Sequence, residues 1–238
     1  YQPCVDIGQG RVTGMEALLR WRRDGRLVPP GEFIPVAEDT GLIVPIGEWV
    51  LQTAAERLAA WRRAGLPVER IAVNVPTIHF ERESLLSTLR AAMHVHRLAP
   101  RSLELELTET CMVRDFERTL PQIEALISAG ATLAIDDFGT GYSSLAYLST
   151  LPIDSLKIDR SFVMGMEQQA QNVEIVRAVV NLGRSLGKKI IAEGIETVEQ
   201  LATLKELGVD VGQGYLLSRP LRPDQVAALF ATMVTEAG

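Results

Sequence analysis

The chain has 238 residues, 47% of them hydrophobic, and a formal net charge of −6 at pH 7. This length supports one large buried core without disulfides or a structural metal, and the negative charge argues against a surface that holds DNA or RNA by many phosphate contacts. The two cysteines, Cys4 and Cys111, have no CxxC spacing, which favours reduced thiols and a cytoplasmic domain. No apolar stretch is long enough to cross a membrane.

Apolar strand-like runs alternate with helical patterns along the chain. The predicted strands cover 2–7, 13–21, 71–75, 103–108, 132–136, 155–158, 189–192 and 211–215. Apolar residues at helical spacing predict helices over 45–64, 116–129, 173–186, 198–207 and 223–234. The last of these helices is predicted to have Pro223 in its first turn and Asp224 at the positive end of its dipole.

This alternation of strands and helices predicts an α/β fold, a (β/α)8 TIM-like barrel formed by a single domain over residues 1–238. The connection GQGR between the first two strands has hairpin length, so the first strand is predicted to be antiparallel. An open doubly wound sheet is the alternative, although no GxGxxG turn or Walker loop supports it.

Acidic and amide side chains follow the predicted carboxyl ends of the strands, where barrel enzymes place their chemistry. Any one of them is also explained as a helix cap or a turn residue. The set is harder to explain that way, because buried carboxylates are costly unless they are paired or bound to metal. Oxygen ligands of this kind suit Mg²⁺ or Mn²⁺. The residues are Glu16, Asn74, Glu104, Glu106, Glu109, Asp136, Asp137, Asp159, Glu193, Glu196 and Gln213, with Lys157 among them.

The histidines and serines do not predict a second kind of site. His94 and His96 lie two residues apart on a predicted helix that His79 begins, so they face different directions, and all three are expected on the surface. Ser143 and Ser144 have no histidine near a strand end that would activate a nucleophile.

Nine motifs occur in order from one end of the chain to the other: YQPCVD, MEALLRW, FIPVAEDTGLI, VNV, ELELTE, DDFGTGYSSL, LKIDRSF, AEGIET and QGYLLSRP. With these motifs the sequence resembles the EAL domain family of cyclic di-GMP phosphodiesterases. The resemblance implies hydrolysis of cyclic di-GMP to linear 5'-pGpG by a two-metal mechanism. Some relatives keep the fold and bind cyclic di-GMP without cleaving it, so a weak or inactive receptor module is the alternative.

The resemblance also implies a role for each matching residue. Two Mg²⁺ or Mn²⁺ ions would lie at the barrel mouth, the first held by Glu16, Asn74, Glu106 and Asp136. Asp136 would bridge to the second ion, which Asp137 and Glu193 would complete. Lys157 would hold the attacking water, with Glu193 as the candidate base. Gln2, Arg20, Asp159, Glu196 and Gln213 would bind the substrate or organise the site, and Glu109 would steady the DDFGTGYSSL loop through that loop's hydroxyls.

Two further expectations concern partners and a departure from the family pattern. The resemblance implies a homodimer near the DDFGTGYSSL loop and a longer parent protein with sensory or GGDEF domains, whose membrane anchoring is left open. The chain has NVPTIHF where the family commonly has serine after NV. Because proline removes a backbone donor and restricts Val75, Pro76 is expected to shift Asn74 or the loop after it.

Overall fold

A closed barrel of eight strands forms the centre of the protein in the computed structural model, which describes residues 1–113, 116–141 and 145–236. The strands are β1 (Gln2–Asp6), β2 (Val12–Ala17), β3 (Trp21–Arg23), β4 (Arg26–Val28), β5 (Ile71–Asn74), β6 (Leu103–Thr108), β7 (Thr132–Phe138), β8 (Ser155–Ile158), β9 (Lys189–Ala192) and β10 (Val211–Gly212). The order around the barrel is β1, β10, β9, β8, β7, β6, β5 and β2, and β3 pairs with β4 in a separate hairpin.

The first strand makes the barrel irregular. β1 runs antiparallel to both β2 and β10, whereas the other neighbouring strands of the barrel are parallel. The short connection between β1 and β2 permits this arrangement, because a parallel crossover needs about a dozen residues or more. The barrel with an antiparallel first strand is therefore confirmed, and the open doubly wound sheet is wrong.

Helices follow most of the strands and cover the outside of the barrel. They are α1 (Pro30–Asp39), α2 (Ile43–Arg63), α3 (Thr77–Phe80), α4 (Ser84–Val95), α5 (Glu109–Val113), α6 (Phe116–Ser128), α7 (Leu145–Thr150), α8 (Arg160–Gly165), α9 (Ala170–Ser185), α10 (Val198–Leu207) and α11 (Val226–Glu236). Among the described residues, no helix combines the length and the apolar character that a membrane span requires.

Strand β6 shows how one sequence pattern serves both the core and the barrel interior. Leu103, Leu105 and Leu107 are fully buried in the main hydrophobic core, which also contains residues of α6. Each buried leucine contributes about 1.5–3 kcal/mol of transfer free energy. Because side chains alternate along a strand, Glu104 and Glu106 lie on the opposite side, inside the barrel.

Two local expectations are wrong. β2 ends at Ala17, and Trp21 begins the β3–β4 hairpin instead of ending a long strand. Helix α11 begins at Val226, so Pro223 is not in its first turn. Pro223 and Asp224 lie in a preceding turn, where the Asp224 carboxylate pairs with Arg222 and Gln225 Oε1 accepts a hydrogen bond from the Arg222 N–H.

His79 is the exception among the three histidines. His94 is exposed as expected, but the His79 side chain is 1% exposed. Its Nδ1 packs against Gly47 of α2, where an added Cβ would come within 2.5 Å of that nitrogen. Burial lowers the pKa of His79, so a neutral imidazole fills a gap that only a glycine on α2 leaves open.

Candidate active site

Four carboxylates from four different strand ends meet at the ammonium group of Lys157. Lys157 Nζ lies 2.6 Å from Glu193 Oε1, 2.8 Å from Glu106 Oε1, 3.2 Å from Asp136 Oδ1 and 3.9 Å from Glu16 Oε1. The Lys157 side chain is 1% exposed, so the whole cluster is largely shielded from water. Although the distances are short, no contact that the Lys157 ammonium makes with a described residue has the directional geometry of a hydrogen bond.

Side-chain amides hold both oxygens of the Glu16 carboxylate. Asn74 Nδ2 donates to Glu16 Oε1 over 2.7 Å, and Gln213 Nε2 donates to Glu16 Oε2. Burial raises the pKa of Glu16, but Lys157 and these two amides outweigh burial and leave that pKa below its ordinary value. Glu16 is therefore held as a charged carboxylate with a fixed direction.

A β-bulge explains how the neighbouring residues Asp136 and Asp137 face different partners. On β7 and β8, Ile135 pairs with Leu156, and the next pair is Phe138 with Ile158. Between these two pairs β7 has one residue more than β8. Asp137 takes up this extra length in a left-handed conformation with φ of 53°. Asp136 consequently contacts Lys157, while burial, Asp136 and Asp159 raise the pKa of Asp137 to about 6.

The remaining acids of the cluster carry more negative charge than Lys157 compensates. Burial raises the pKa of Glu106 well above its ordinary value, and the nearby Glu16, Asp136 and Glu193 add to the rise against the opposing Lys157. Burial likewise raises the pKa of Glu193 to about 7, with Asp136 and Glu16 adding to it. The same carboxylates outweigh burial at Lys157, whose pKa is raised well above its ordinary value.

The donor set fits a hard divalent cation, although the acids are not spaced for direct coordination. In the described part of the chain, no group of three or more His, Cys, Asp and Glu side chains is arranged to hold a metal ion. The Lys157 ammonium lies instead where the four carboxylates meet. Glu106 Oε2 is buried and accepts no hydrogen bond from any described residue, so an open ligand atom is available beside the other carboxylates. Carboxylate and amide oxygens are the ligands that Mg²⁺ and Mn²⁺ prefer.

Glu104 belongs to a different layer of the barrel interior. It lies two residues before Glu106 on β6 and pairs with Arg70, with Arg70 Nη1 to Glu104 Oε2 measuring 3.2 Å. Thr132 and Ser155 also donate hydrogen bonds to Glu104 Oε2. This carboxylate is thus neutralised below the mouth and does not join the acids around Lys157.

Glu109 begins α5 and contacts the segment that follows β7. Glu109 Oε2 accepts a hydrogen bond of 3.1 Å from the Gly139 N–H. A Cβ at Gly141 would lie 2.8 Å from Glu109 Oε1, so a larger residue there would displace the Glu109 carboxylate. Of the hydroxyls in that loop, the Thr140 hydroxyl donates to the Asp137 carbonyl oxygen over 2.8 Å, and those of Tyr142, Ser143 and Ser144 lie outside the described residues.

The mouth of the barrel opens into a cavity of about 240 Å³. Three of the five residues expected to bind the substrate line this cavity. Gln2, Glu196 and Gln213 line this cavity, whereas Asp159 caps α8 by accepting from the Ser161 N–H. Arg20 lies instead in a neighbouring groove of about 580 Å³, where its guanidinium donates to the Leu19 carbonyl oxygen.

Sequence reasoning did not identify six residues that line the cavity, which are Leu18, Arg160, Met164, Gly194, Gly214 and Tyr215. The side chains of Met164 and Tyr215 are about half exposed. Arg219 stacks on Tyr215, with its guanidinium carbon 4.5 Å from the ring centre. Arg160 lies in the motif LKIDRSF and Tyr215 in QGYLLSRP. The search for polar ligands at strand ends selected only the acids, the lysine and the amide of these motifs.

Pro76 does not separate Asn74 from the site. The Val75 N–H keeps its hydrogen bond to the Glu106 carbonyl oxygen, and Asn74 stays in register with Glu106. Pro76 precedes the first turn of α3, a position at which its missing N–H costs nothing. Asn74 Nδ2 reaches Glu16 Oε1 over 2.7 Å, so Asn74 stays within the site beside this proline.

Comparisons with known proteins agree on one family. The family model described as "EAL domain" matches residues 1–220. The bifunctional diguanylate cyclase/cyclic di-GMP phosphodiesterase MucR of Pseudomonas aeruginosa is 45% identical over 97% of this chain and 34% of its own length. The cyclic di-GMP phosphodiesterase NbdA of the same organism is 43% identical over 93% of the chain and 28% of its own length.

The fold comparison gives the same result. The structure of the PaMucR phosphodiesterase in complex with c-di-GMP superposes with a TM-score of 0.92 and 45% identity, covering 95% of this chain and 92% of that one. The chain spans about a third of the length of the curated relatives that it matches.

Proposed function

The chain belongs to the EAL domain family, and we propose that it hydrolyses cyclic di-GMP to linear 5'-pGpG with two Mg²⁺ or Mn²⁺ ions bound at the barrel mouth. The observation that supports this most is the convergence of Glu16, Glu106, Asp136 and Glu193 on one point, with all four oxygens within 3.9 Å of Lys157 Nζ. An anionic phosphodiester would be repelled by this cluster alone, so the substrate and the cations would enter the same site.

The proposed ligand roles are those that the resemblance to the family implies. Glu16, Asn74, Glu106 and Asp136 would hold the first ion, and Asp136, Asp137 and Glu193 the second. When bound, the cations would lower the pKa of a water molecule and offset the charge of the phosphodiester. The buried Lys157 ammonium would orient that water, and Glu193 would accept its proton.

The rim of the cavity has the character of a base-binding surface. Tyr215 and Met164 offer apolar area, and Arg160 offers a guanidinium group at the start of α8. Arginine can donate two parallel hydrogen bonds to the O6 and N7 atoms of guanine. We propose that these residues contact a guanine of cyclic di-GMP while the acids below them act on the phosphodiester.

The direct test is to incubate the purified chain with cyclic di-GMP and Mg²⁺ or Mn²⁺ and to separate the nucleotides by chromatography. We expect pGpG to accumulate, and we expect EDTA to stop its formation. Binding of intact cyclic di-GMP without product, at saturating metal, would contradict the enzyme and support the receptor module.

Asp137→Asn tests the second ion. Asparagine tolerates the left-handed conformation of residue 137 as well as aspartate does, so the backbone is retained while the charge is removed. We expect the Mg²⁺ concentration for half-maximal turnover to rise by about tenfold or more. Asp39→Asn, an exposed change at the end of α1, serves as the control. Unaltered activity at low Mg²⁺ would rule out Asp137 as a ligand and, with it, the two-metal assignment.

The assembly of the protein is a further part of the proposal. The homodimer near residues 136–145 and the fusion to sensory or GGDEF domains stay predictions, as does any membrane anchoring of a longer parent protein. Residues 142–144 of the expected contact lie outside the described residues. Sedimentation of the chain with and without cyclic di-GMP measures the oligomeric state directly.

A further inference from the structure

A chain of buried amides connects strand β1 to the Glu16 carboxylate. Gln2 is 7% exposed and Gln213 is 4% exposed, although both lie at the edge of the cavity. Gln213 Nε2 donates to Gln2 Oε1 over 3.1 Å as well as to Glu16 Oε2. Gln2 Nε2 in turn donates to the Ser218 carbonyl oxygen over 3.1 Å. Two side chains, Gln213 and Gln2, therefore link Glu16 to a backbone group.

The hydrogen bonds leave the Gln213 amide a single favourable orientation. Its NH₂ group has two hydrogens, and two acceptors, Gln2 Oε1 and Glu16 Oε2, use both of them. Its carbonyl oxygen faces the Cys4 thiol, with Cys4 Sγ 3.4 Å from Gln213 Oε1. A flipped amide would place that oxygen against both acceptors, which would leave buried polar atoms unpaired at a cost of about 1–3 kcal/mol each.

Gln2 is itself fixed by a hydrogen bond at each end of its amide. Its NH₂ group is directed to Ser218, and its oxygen is engaged by Gln213. One hydrogen of the NH₂ group and one lone pair of the oxygen are thus used by the protein, which fixes the direction of the amide. The acceptor that Gln2 offers has one evident effect, which is to keep the Gln213 NH₂ group turned towards Glu16.

We propose that Gln2 is a positioning residue for Glu16, acting through Gln213. The inference rests on the proposed function in one respect, since it takes Glu16 to be a cation ligand. Hydrogen bonds to ligating carboxylates set the direction and basicity of the ligand, and their loss typically weakens metal binding 10–100-fold.

Gln2→Leu tests the proposal by removing both hydrogen bonds at nearly constant volume. We expect the dissociation constant for Mn²⁺, measured by calorimetry without nucleotide, to rise about 10–100-fold. Should the leucine variant fail to fold, Gln2→Met carries the same expectation, because methionine adapts to irregular spaces.

Thr13→Val provides the matched control. Thr13 donates to the Cys4 carbonyl oxygen and so also binds to strand β1, but it does not contact the amide chain. We expect its Mn²⁺ affinity to equal that of the wild type. Unchanged Mn²⁺ affinity in Gln2→Leu, with or without weaker nucleotide binding, would overturn the inference.

A double-mutant cycle tests the path of the effect. If Gln2 acts through Gln213, adding Gln2→Leu to Gln213→Leu should change Mn²⁺ affinity no further. An equal additional loss in the double variant would overturn the path. The two proposals fail in different ways. If the wild type binds no Mn²⁺, the proposed function and this inference are both overturned. If the wild type and Gln2→Leu bind Mn²⁺ with equal affinity, only this inference is overturned.

Discussion

Lys157→Met is expected to lower the free energy of unfolding of the metal-free protein by about 3–5 kcal/mol, because breaking a buried ion pair leaves uncompensated charge. The Lys157 ammonium contacts Glu106, Asp136 and Glu193 within 3.2 Å, and Glu16 lies 3.9 Å away. Methionine fills a similar volume but supplies no charge. The carboxylates of the cluster would then repel one another inside the barrel.

Added cations should reverse much of this loss. With Mg²⁺ in excess, we expect the variant to regain more stability than the wild type gains, since cations can take the place of the missing ammonium charge. Urea unfolding in EDTA and in Mg²⁺ measures both quantities. Lys189→Met, at an exposed lysine on β9, should change stability by less than about 0.5 kcal/mol. A Lys157 variant as stable in EDTA as this control would contradict the charge balance described for the site.

The sequence predicted the barrel well where the apolar pattern was continuous. The predicted bounds of β6, β8, β9 and α10 equal the observed ones. Nearly every residue of these strands is buried, and the pattern that marks the strand is an apolar run in β9 and an alternation of leucine with glutamate in β6. For α10, Thr197 and Gln200 form a capping box and Gly208 ends the helix with φ of 81°, so both ends have a local signal.

Elements outside the barrel were missed for physical reasons. The β3 hairpin strand is exposed and carries arginines, so it lacks the alternation of a half-buried strand. Its turn residues Asp24 and Gly25 both have positive φ, which is the type of turn that Asp-Gly favours. Helix α1 has Pro35 in its interior and Pro30 in its first turn, and prolines ordinarily indicate a break.

The acids of the site were predictable because they follow strand ends, but their partners were not. Sequence alone does not give the bulge that turns Asp137 away from Lys157, since it depends on the pairing of β7 with β8. It also does not give the burial of Gln2, whose partners Gln213 and Ser218 lie more than 200 residues away. Contacts across the barrel seam require the closed fold.

Glu16→Gln is expected to separate catalysis from stability, in contrast to the change at Lys157. Glu16 is the acid farthest from the ammonium, so the three shorter ion pairs survive the substitution. Glutamine keeps the volume and can still accept a hydrogen bond from Asn74. Its own NH₂ group would then face the Gln213 NH₂ group, so one of the two amide contacts is lost.

Turnover should fall far more than stability. If the loss of this ligand removes about 4 kcal/mol of transition-state stabilisation by the cation, turnover falls about 10³-fold. The measurement is the rate of pGpG formation at saturating cyclic di-GMP and Mg²⁺, with urea unfolding of the same preparation. Glu206→Gln, an exposed change on α10, should leave both quantities unaltered. Wild-type turnover in Glu16→Gln would show that Glu16 is not a cation ligand, because a ligand that holds the cation cannot lose its charge without an effect on turnover.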